Sequence, residues 1–298
     1  MEASYYDKLP DGSVRCVLCP HLCHIAPGHS GFCRTRRNEG GRLHVLNYGQ
    51  CTAVALDPIE KKPLYHFHPQ SKILSLGSWG CNLTCRFCQN WQISQETPAH
   101  ETISPEQAVS LARQWTTHGN IGLAYTYNEP TVSYEFICQT APLIHKAGLF
   151  NVMVTNGYIN EAPLKELLPF IDAWNIDLKS FTDNFYRTLC QGRLDAVRHT
   201  IELAVPDSHV EVTTLIIPGQ NDTPAEIAAL ARWLASLDER LPLHLSRYFP
   251  RYHLDIPPTP LATLAACAEA ARSYLPYVHI GNISAAEQAQ IDRLCRKS

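Results

Sequence analysis

Three cysteines stand close together in the stretch GCNLTCRFCQNW, at Cys81, Cys85 and Cys88. Thiolates are soft ligands, and three of them in a short loop favour an iron-sulfur cluster, zinc or copper(I). Three ligands on a four-iron cluster leave one iron open, and that iron can bind a small molecule through an amine and a carboxylate. We predict a 4Fe-4S cluster on these residues. A zinc site completed by a distant fourth ligand is the alternative.

A second group of cysteines lies near the amino terminus, in RCVLCPHLCHIAPGHSGFCRTR. The spacing is Cx2Cx3Cx9C, at Cys16, Cys19, Cys23 and Cys33. Four soft ligands predict tetrahedral zinc or a second iron-sulfur cluster, and structural zinc is preferred because a short segment gains stability from a metal. Free surface thiols or a disulfide are the alternative. Three other cysteines sit in apolar, helix-like patterns and are interpreted as small core residues: Cys138, Cys190 and Cys267.

The chain from residue 73 onward alternates short β-rich runs with amphipathic helical stretches, which is the pattern of a parallel sheet covered by helices. Several helices have clear N-terminal signals, such as Ser104-Pro105-Glu106, Asn160-Glu161 and Asp222-Thr223-Pro224. Six or seven βα units in series favour a partial (β/α)6 barrel of the TIM type over a doubly wound sheet. The predicted strands are 73–78, 121–126, 150–155, 172–178, 210–217, 243–249 and 277–281.

This alternation of strands and helices divides the chain into three parts. Residues 1–72 do not follow it and are predicted to form a Cys-rich N-terminal extension with a metal site. The partial barrel is predicted over 73–282, and a C-terminal helix over 283–298.

In barrels of this kind the chemistry lies in the loops after the carboxyl ends of the strands. The unusual residues of this sequence fall in those loops, so we expect them to converge on one face. Asp177 and Lys179 are two residues apart on one predicted strand and face the same side. The loops in question contain the three cysteines, Tyr127-Asn128-Glu129-Pro130, Asn156-Gly157, Asp177 with Lys179, and Pro218-Gly219-Gln220-Asn221-Asp222.

The cysteine loop, with Phe87 before its last cysteine, resembles the signature of the radical S-adenosylmethionine (SAM) superfamily. The resemblance implies a partial TIM barrel and a 4Fe-4S cluster on Cys81, Cys85 and Cys88 with SAM bound at the open iron. It also implies reductive cleavage of SAM to methionine and a 5′-deoxyadenosyl radical, which abstracts a hydrogen atom. In such an enzyme the protein supplies positioning and the exclusion of water.

The resemblance extends to other strand ends. Glu129 stands where the superfamily has an acidic residue that receives the SAM ammonium, although it could also be an acid at a helix N-terminus. The TNG and DLK motifs are similar to those of pyruvate formate-lyase activating enzymes, where they help to hold the SAM carboxylate; a simple ion pair is the alternative for Asp177 and Lys179. The implied cofactor-binding residues are Phe87, Asn128, Glu129, Thr155, Asn156, Asp177 and Lys179.

A narrower resemblance rests on three segments: LDPIEKKPLYHFHP, LSLGSWGCNLTCRFCQNWQISQ and AYTYNEPT. Together they resemble the AmmeMemoRadiSam system radical SAM enzyme family, relatives of the activating enzymes named above. The family name implies partners of the Memo and AMMECR types, and the chemistry implies an electron donor such as flavodoxin or ferredoxin. One departure is that Phe249 stands where the activating enzymes carry a histidine.

Length and composition agree with an ordinary globular enzyme. The chain has 298 residues, of which 45% are hydrophobic, and a formal net charge of -3 with both signs mixed along it. It has no basic stripe for nucleic acid, and we find no signal peptide and no apolar run of about 18 residues that could span a membrane. The twelve cysteines are therefore expected to be reduced, and the protein to be cytoplasmic.

Other interpretations stay open on the sequence alone. The enzyme could activate a protein partner by forming a glycyl radical on it, or the chain could be a non-catalytic zinc scaffold. Lys61 and Lys62 could contact a substrate carboxylate, while a solvated turn explains them equally well. The substrate is not indicated.

Overall fold

The computed structural model describes residues 1–295. Its strands are β1 (Tyr6–Lys8), β2 (Val14–Cys16), β3 (His24–Ile25), β4 (Arg36–Glu39), β5 (Arg42–Val45), β6 (Gln50–Cys51), β7 (Ala53–Pro58), β8 (Lys72–Gly77), β9 (Glu101–Thr102), β10 (Asn120–Tyr125), β11 (Phe150–Thr155), β12 (Ala173–Asp177), β13 (His209–Ile216), β14 (Leu243–Arg247) and β15 (Val278–Gly281).

The main sheet has eight strands in the order β15-β14-β13-β12-β11-β10-β8-β7. Every pairing from β8 to β15 is parallel. Each predicted strand from residue 73 onward is present, with ends within two residues of the prediction. Helices connect these strands, so the prediction of a partial α/β barrel is confirmed.

The sheet also contains β7, which comes from the N-terminal extension and was not predicted. It pairs antiparallel with β8, from Ala53 opposite Gly77 to Pro58 opposite Lys72. The extension therefore supplies one edge of the barrel sheet, and the division of the chain at residue 72 stays a prediction. Because the pairing is antiparallel, the carboxyl end of β7 lies at the amino-terminal end of the barrel.

The helices cover the sheet and begin where the sequence signals predict. Ser104 caps its helix with a capping box, and Thr223 accepts a hydrogen bond from the Glu226 amide. None of the described helices is long and apolar enough to cross a membrane. They are α1 (Trp91–Ser94), α2 (Pro105–Gln114), α3 (Tyr134–Lys146), α4 (Glu161–Leu167), α5 (Asp183–Phe185), α6 (Leu194–Ala204), α7 (Pro224–Leu237), α8 (Leu261–Arg272) and α9 (Ala285–Cys295).

Shorter helical segments lie between these elements. A π-helix spans Tyr186–Cys190 directly after α5. The 3-10 helices are Ile59–Lys61, Trp115–His118, Pro130–Ser133 and Leu168–Phe170. The predicted C-terminal helix is present as α9, and residues 296–298 of that prediction lie outside the described residues.

The segment after β7 closes the amino-terminal end of the barrel. The buried Glu211 carboxylate of β13 accepts hydrogen bonds from the backbone amides of Tyr65 (3.0 Å) and His66 (2.7 Å). The same carboxylate pairs with the rings of His209 (2.9 Å) and His244 (2.6 Å). These partners compensate the cost of burying the Glu211 charge. Because this segment closes the amino-terminal end of the barrel, the open end is the carboxyl end of the strands.

A buried ion pair fixes the N-terminal extension to the barrel helices. The Arg36 guanidinium of β4 donates to both carboxylate oxygens of Glu135 in α3, at 3.0 and 2.8 Å, and both side chains are at most 2% exposed. Glu135 also accepts the Ser4 amide. Removing one partner of such a pair leaves a buried charge uncompensated.

We expect the Glu135→Ala variant to lose about 3–5 kcal/mol in the free energy of unfolding, because Arg36 stays buried without its counter-ion. Urea denaturation followed by circular dichroism measures this loss. Glu239→Ala, in an exposed turn, is the control and should change the value by less than about 0.5 kcal/mol. A loss from Glu135→Ala as small as that of the control would show that the pair does not fasten the extension.

Candidate functional site

A cavity of about 330 Å³ opens among the loops at the carboxyl ends of the barrel strands. The sequence-predicted cluster and cofactor residues all border it, although they come from four separate loops. These residues are Cys81, Cys85, Phe87, Cys88, Asn128, Glu129, Thr155, Asn156, Asp177 and Lys179.

The cysteine loop between β8 and α1 is held by neighbouring elements on several sides. The Thr84 amide donates to the Cys190 carbonyl at 3.0 Å, and the Arg86 amide donates to the Leu189 carbonyl at 2.9 Å. On the other side, the Asn82 amide group donates to the Tyr158 carbonyl at 2.6 Å. The loop is therefore fixed by contacts with residues far away in the sequence.

Gly80 sets the direction in which the loop leaves β8. Its φ of +86° lies in the left-handed region, where glycine is favoured. A Cβ at this position would also collide with the Thr35 side chain and lie 3.0 Å from the Cys33 carbonyl oxygen. Glycine thus allows the cysteine loop to pack directly against the N-terminal extension.

The three thiols border one volume but differ in their surroundings. Burial raises the pKa of Cys81 and of Cys88, whereas a hydrogen bond with the Cys190 thiol lowers the pKa of Cys85. Two N–H groups point at the Cys81 sulfur, from the Leu83 backbone (3.3 Å) and the Asn156 side chain (3.6 Å). Such N–H donors stabilise a metal-bound thiolate and tune the potential of an iron-sulfur cluster.

The donor set fits a 4Fe-4S cluster. Among residues 1–294, no three His, Cys, Asp or Glu side chains converge closely enough to hold a single metal ion as they stand. A cluster has a different requirement, because each thiolate binds a different iron atom. Three soft thiols around a shared volume, with N–H donors beside one of them, meet that requirement.

Glu129 connects two strand ends beneath this cavity. The carboxylate is 3% exposed, and its Oε1 accepts hydrogen bonds from the Thr131 amide (3.0 Å) and the Thr155 hydroxyl (2.7 Å). Its Oε2 accepts one hydrogen bond, from the Asn156 amide at 2.7 Å. Each carboxylate oxygen can accept about two hydrogen bonds, so Oε2 retains room for one more donor. Burial raises the pKa of Glu129, which a cation in the cavity would oppose.

The Asp177 and Lys179 pair lies at the end of β12, with Lys179 Nζ 2.8 Å from the Asp177 carboxylate. Burial opposes the charged form of Lys179, but Asp177 and the neighbouring thiols raise its pKa. The Lys179 carbonyl accepts a hydrogen bond from Asn221 at 2.7 Å, and its amide donates to the Tyr186 hydroxyl at 2.9 Å. The pair is thus a fixed feature of the cavity wall.

Two residues that support the cavity lining were not predicted from the sequence. Cys190 was interpreted as a core residue, and it is fully buried, but it also contacts Cys85. Asp57 of β7 accepts hydrogen bonds from Lys62, which is nearby in the chain, and from the Tyr127 hydroxyl, which lies in a distant segment, so no local motif indicates the whole group. The Phe249 ring lies 41% exposed beside the Arg247 guanidinium, while Ser246 borders the cavity from β14.

The four N-terminal cysteines lie around one small pocket behind the cysteine loop. None of the four forms a disulfide. Burial raises the pKa of Cys16 to about 11 and also raises that of Cys19 and Cys23. Asn82 of the cysteine loop borders the same pocket, and its carbonyl contacts the His21 ring at 2.7 Å. The two cysteine groups are therefore neighbours.

The model of the radical SAM superfamily matches residues 78–234, which include the cysteine loop and most of the barrel. The chain belongs to the radical SAM superfamily. It is 44% identical over 289 residues to the uncharacterized protein MJ0808 of Methanocaldococcus jannaschii, covering 95% of this chain and 85% of that protein.

Two further proteins are similar to this chain over the barrel. MJ1632 of the same organism, provisionally named a glycyl-radical enzyme activating enzyme, is 26% identical over 183 residues, or 59% of this chain and 67% of that protein. A radical SAM methyltransferase from Sphaerobacter thermophilus has a TM-score of 0.58 and 17% identity, over 72% of this chain and 67% of that one. The similarity to the methyltransferase structure shows that the two chains share a fold.

We expect Gly80→Ala to destabilise the protein more than Gly148→Ala does. Both glycines have a positive φ, so both substitutions introduce about 1–2 kcal/mol of backbone strain. Only Gly80 has neighbours that a methyl group would strike, which adds about 1–3 kcal/mol. Urea denaturation of the two variants measures the difference, and equal losses would contradict the close packing of the cysteine loop on the extension.

Proposed function

We propose that this protein is a radical SAM enzyme whose 4Fe-4S cluster is held by Cys81, Cys85 and Cys88. When bound, the cluster and SAM would supply one-electron cleavage of the sulfonium, giving methionine and a 5′-deoxyadenosyl radical that takes a hydrogen atom from the substrate. The observation that carries this proposal is the cavity in which three thiols and Glu129 meet. Glu129 has an acceptor position left on Oε2, as the ammonium group of SAM requires.

Residues that line this cavity would bind and orient SAM. Glu129 would accept the ammonium group through a charge-assisted hydrogen bond. Thr155, Asn156 and Lys179, with Asp177 orienting the lysine, would hold the carboxylate end. Phe87 packs on Phe185 behind the cysteine loop, with ring centroids 5.7 Å apart, and Asn128 ties that loop to β10 through hydrogen bonds to Ser78 and Gly80. These two residues would act by keeping the loop in place.

We expect Cys85→Ala to abolish 5′-deoxyadenosine formation, because the variant loses one of three cluster ligands. The assay is anaerobic reconstitution with iron and sulfide, followed by dithionite and SAM, with 5′-deoxyadenosine measured by chromatography. Cys267→Ala, in the buried core between α7 and α8, is the control and should retain the wild-type rate within about twofold. Wild-type protein that binds iron and sulfide but forms no 5′-deoxyadenosine would refute the proposal.

A narrower function is favoured by the similarity to MJ1632. On that account the protein would form a glycyl radical on a protein partner. An electron paramagnetic resonance doublet on a co-incubated partner would support this function, and only 5′-deoxyadenosine without such a signal would argue against it. The alternative from another class is a non-catalytic zinc scaffold. Metal analysis that finds zinc but no iron or sulfide in the protein would support it.

We further propose that Cys16, Cys19, Cys23 and Cys33 bind a structural zinc ion. Cys16 and Cys33 are buried and Cys19 and Cys23 are half-buried around one pocket. Burial raises the pKa of Cys16, Cys19 and Cys23, so thiolates are unfavourable there without a cation. No three of these thiols converge on one point as they stand, so their side chains would have to turn towards the ion. A divalent cation would compensate the negative charges and fasten the short strands β1 to β5, which have little core of their own. A second iron-sulfur cluster on the same four cysteines is the alternative. Its position behind the cysteine loop would suit electron transfer to the proposed 4Fe-4S cluster.

Metal analysis of a variant with Cys81, Cys85 and Cys88 all changed to Ala tests the zinc site. We expect about one zinc per chain and little iron, because only the N-terminal thiols remain as a soft ligand set. The same protein with Cys16→Ala added should lose the zinc. About four irons with sulfide in the first variant would show a second cluster instead.

The partners named from the sequence belong to the same proposal. Reductive chemistry in a cell needs an electron donor such as flavodoxin or ferredoxin. The segments that resemble the AmmeMemoRadiSam family support partners of the Memo and AMMECR types. A cytoplasmic location is part of the same proposal. Co-purification of the full chain with each candidate tests these partnerships.

A further inference from the structure

A second group of charged side chains borders the same cavity, away from the cysteine loop. Lys61 and Lys62 follow β7, whose carboxyl end lies at the amino-terminal end of the barrel. The cysteine loop leaves the opposite end of β8. The two lysines therefore border the cavity on the side of β7, away from the cysteine loop and the proposed cluster.

Asp57 holds the two lysines in place. Lys62 Nζ lies 2.8 Å from Asp57 Oδ2, and Lys61 Nζ lies 3.3 Å from Asp57 Oδ1. The Tyr127 hydroxyl donates to Oδ2 at 2.6 Å, and Lys62 Nζ lies 4.4 Å from the centre of the Tyr127 ring. Tyr127 adopts a φ of +73°, which is uncommon for a residue with a side chain. The surrounding contacts thus hold Tyr127 and Lys62 in fixed positions.

Hydrogen-bond donors exceed acceptors at this place. Each ammonium group has three N–H donors, and Lys61 and Lys62 each use one on Asp57. Four lysine N–H groups remain, but Asp57 has about one acceptor position left, on Oδ1, because Oδ2 already accepts Lys62 and the Tyr127 hydroxyl. A ligand group that only accepts hydrogen bonds would complete the arrangement.

The charges are unequal as well. Despite burial, the contacts with Lys62, Tyr127 and Lys61 hold the pKa of Asp57 at about 2, so the carboxylate is ionised at neutral pH. Two ammonium groups against one carboxylate leave one net positive charge. A buried cation such as Lys62, 2% exposed, is held in place by its counter-ion, while Lys61 is 68% exposed at the side chain and can turn towards a ligand.

We propose that the Lys61 and Lys62 ammonium groups bind a carboxylate of the substrate on the β7 side of the cavity; this assignment rests on the function proposed above. The substrate is then a carboxylic acid whose reacting carbon lies between this anchor and the SAM site. A monoanion matches the single excess positive charge. A doubly charged phosphate would leave a negative charge in a cavity that already contains Asp177 and Glu129.

Binding of butanoate to the reconstituted enzyme with SAM present tests this proposal. The probes are butanoate, its uncharged analogue butanamide, and methyl phosphate, each titrated by ligand-observed NMR with the cluster oxidised. We expect butanoate to bind at least about fivefold more tightly than butanamide. Lys61→Met should weaken butanoate binding by a similar factor. Lys165→Met is the matched control and should not, since Lys165 also pairs with an acid four residues away and is 58% exposed.

Four outcomes would overturn the proposal. The first two are equal affinities for butanoate and butanamide, and an equal effect of Lys61→Met and Lys165→Met on butanoate affinity. The other two are a higher affinity for methyl phosphate than for butanoate, and loss of butanoate binding when SAM is added. The last outcome would assign the lysines to SAM itself. Formation of 5′-deoxyadenosine by the same wild-type preparation tests the proposed function separately, so failure of one is distinguishable from failure of the other.

Discussion

The burial of the Glu129 carboxylate is the constraint on which the site depends. An ionised carboxylate in the interior is costly unless hydrogen bonds compensate it, and here three donors do so from the loops that follow β10 and β11. Those donors fix the two strand ends relative to each other. They also leave one acceptor position on Oε2, and Glu129 borders the cavity, so the same carboxylate that organises the loops can receive a cation.

The cysteine loop is fixed by a different means. Its backbone pairs with the π-helix at Leu189 and Cys190, and Gly80 allows it to lie on the N-terminal extension. The extension is in turn fastened to α3 by the buried pair of Arg36 and Glu135. The position of the thiols therefore depends on contacts from three separate parts of the chain, which explains why a short loop can present them around one volume.

Much of the fold could be predicted from the sequence because each parallel strand is a compact apolar run followed by a loop with polar residues. Strand β7 was missed because Ala53–Pro58 becomes a strand of the barrel only through its antiparallel pairing with β8. The residues proposed to hold the cluster and SAM were indicated by motifs within single loops. Cys190 and Asp57 were not assigned to the site, because they contact Cys85 and Tyr127, which are distant from them in the sequence. Lys61 and Lys62 were named as contacts for a substrate carboxylate, with a solvated turn as the alternative.

A crystal structure of the anaerobically reconstituted protein with SAM tests the central claim most directly. The account predicts a 4Fe-4S cluster bound by Cys81, Cys85 and Cys88 alone, with the SAM ammonium group within hydrogen-bond distance of the Glu129 carboxylate. A fourth protein ligand on the cluster, such as Cys190, or SAM bound away from Glu129 would contradict it.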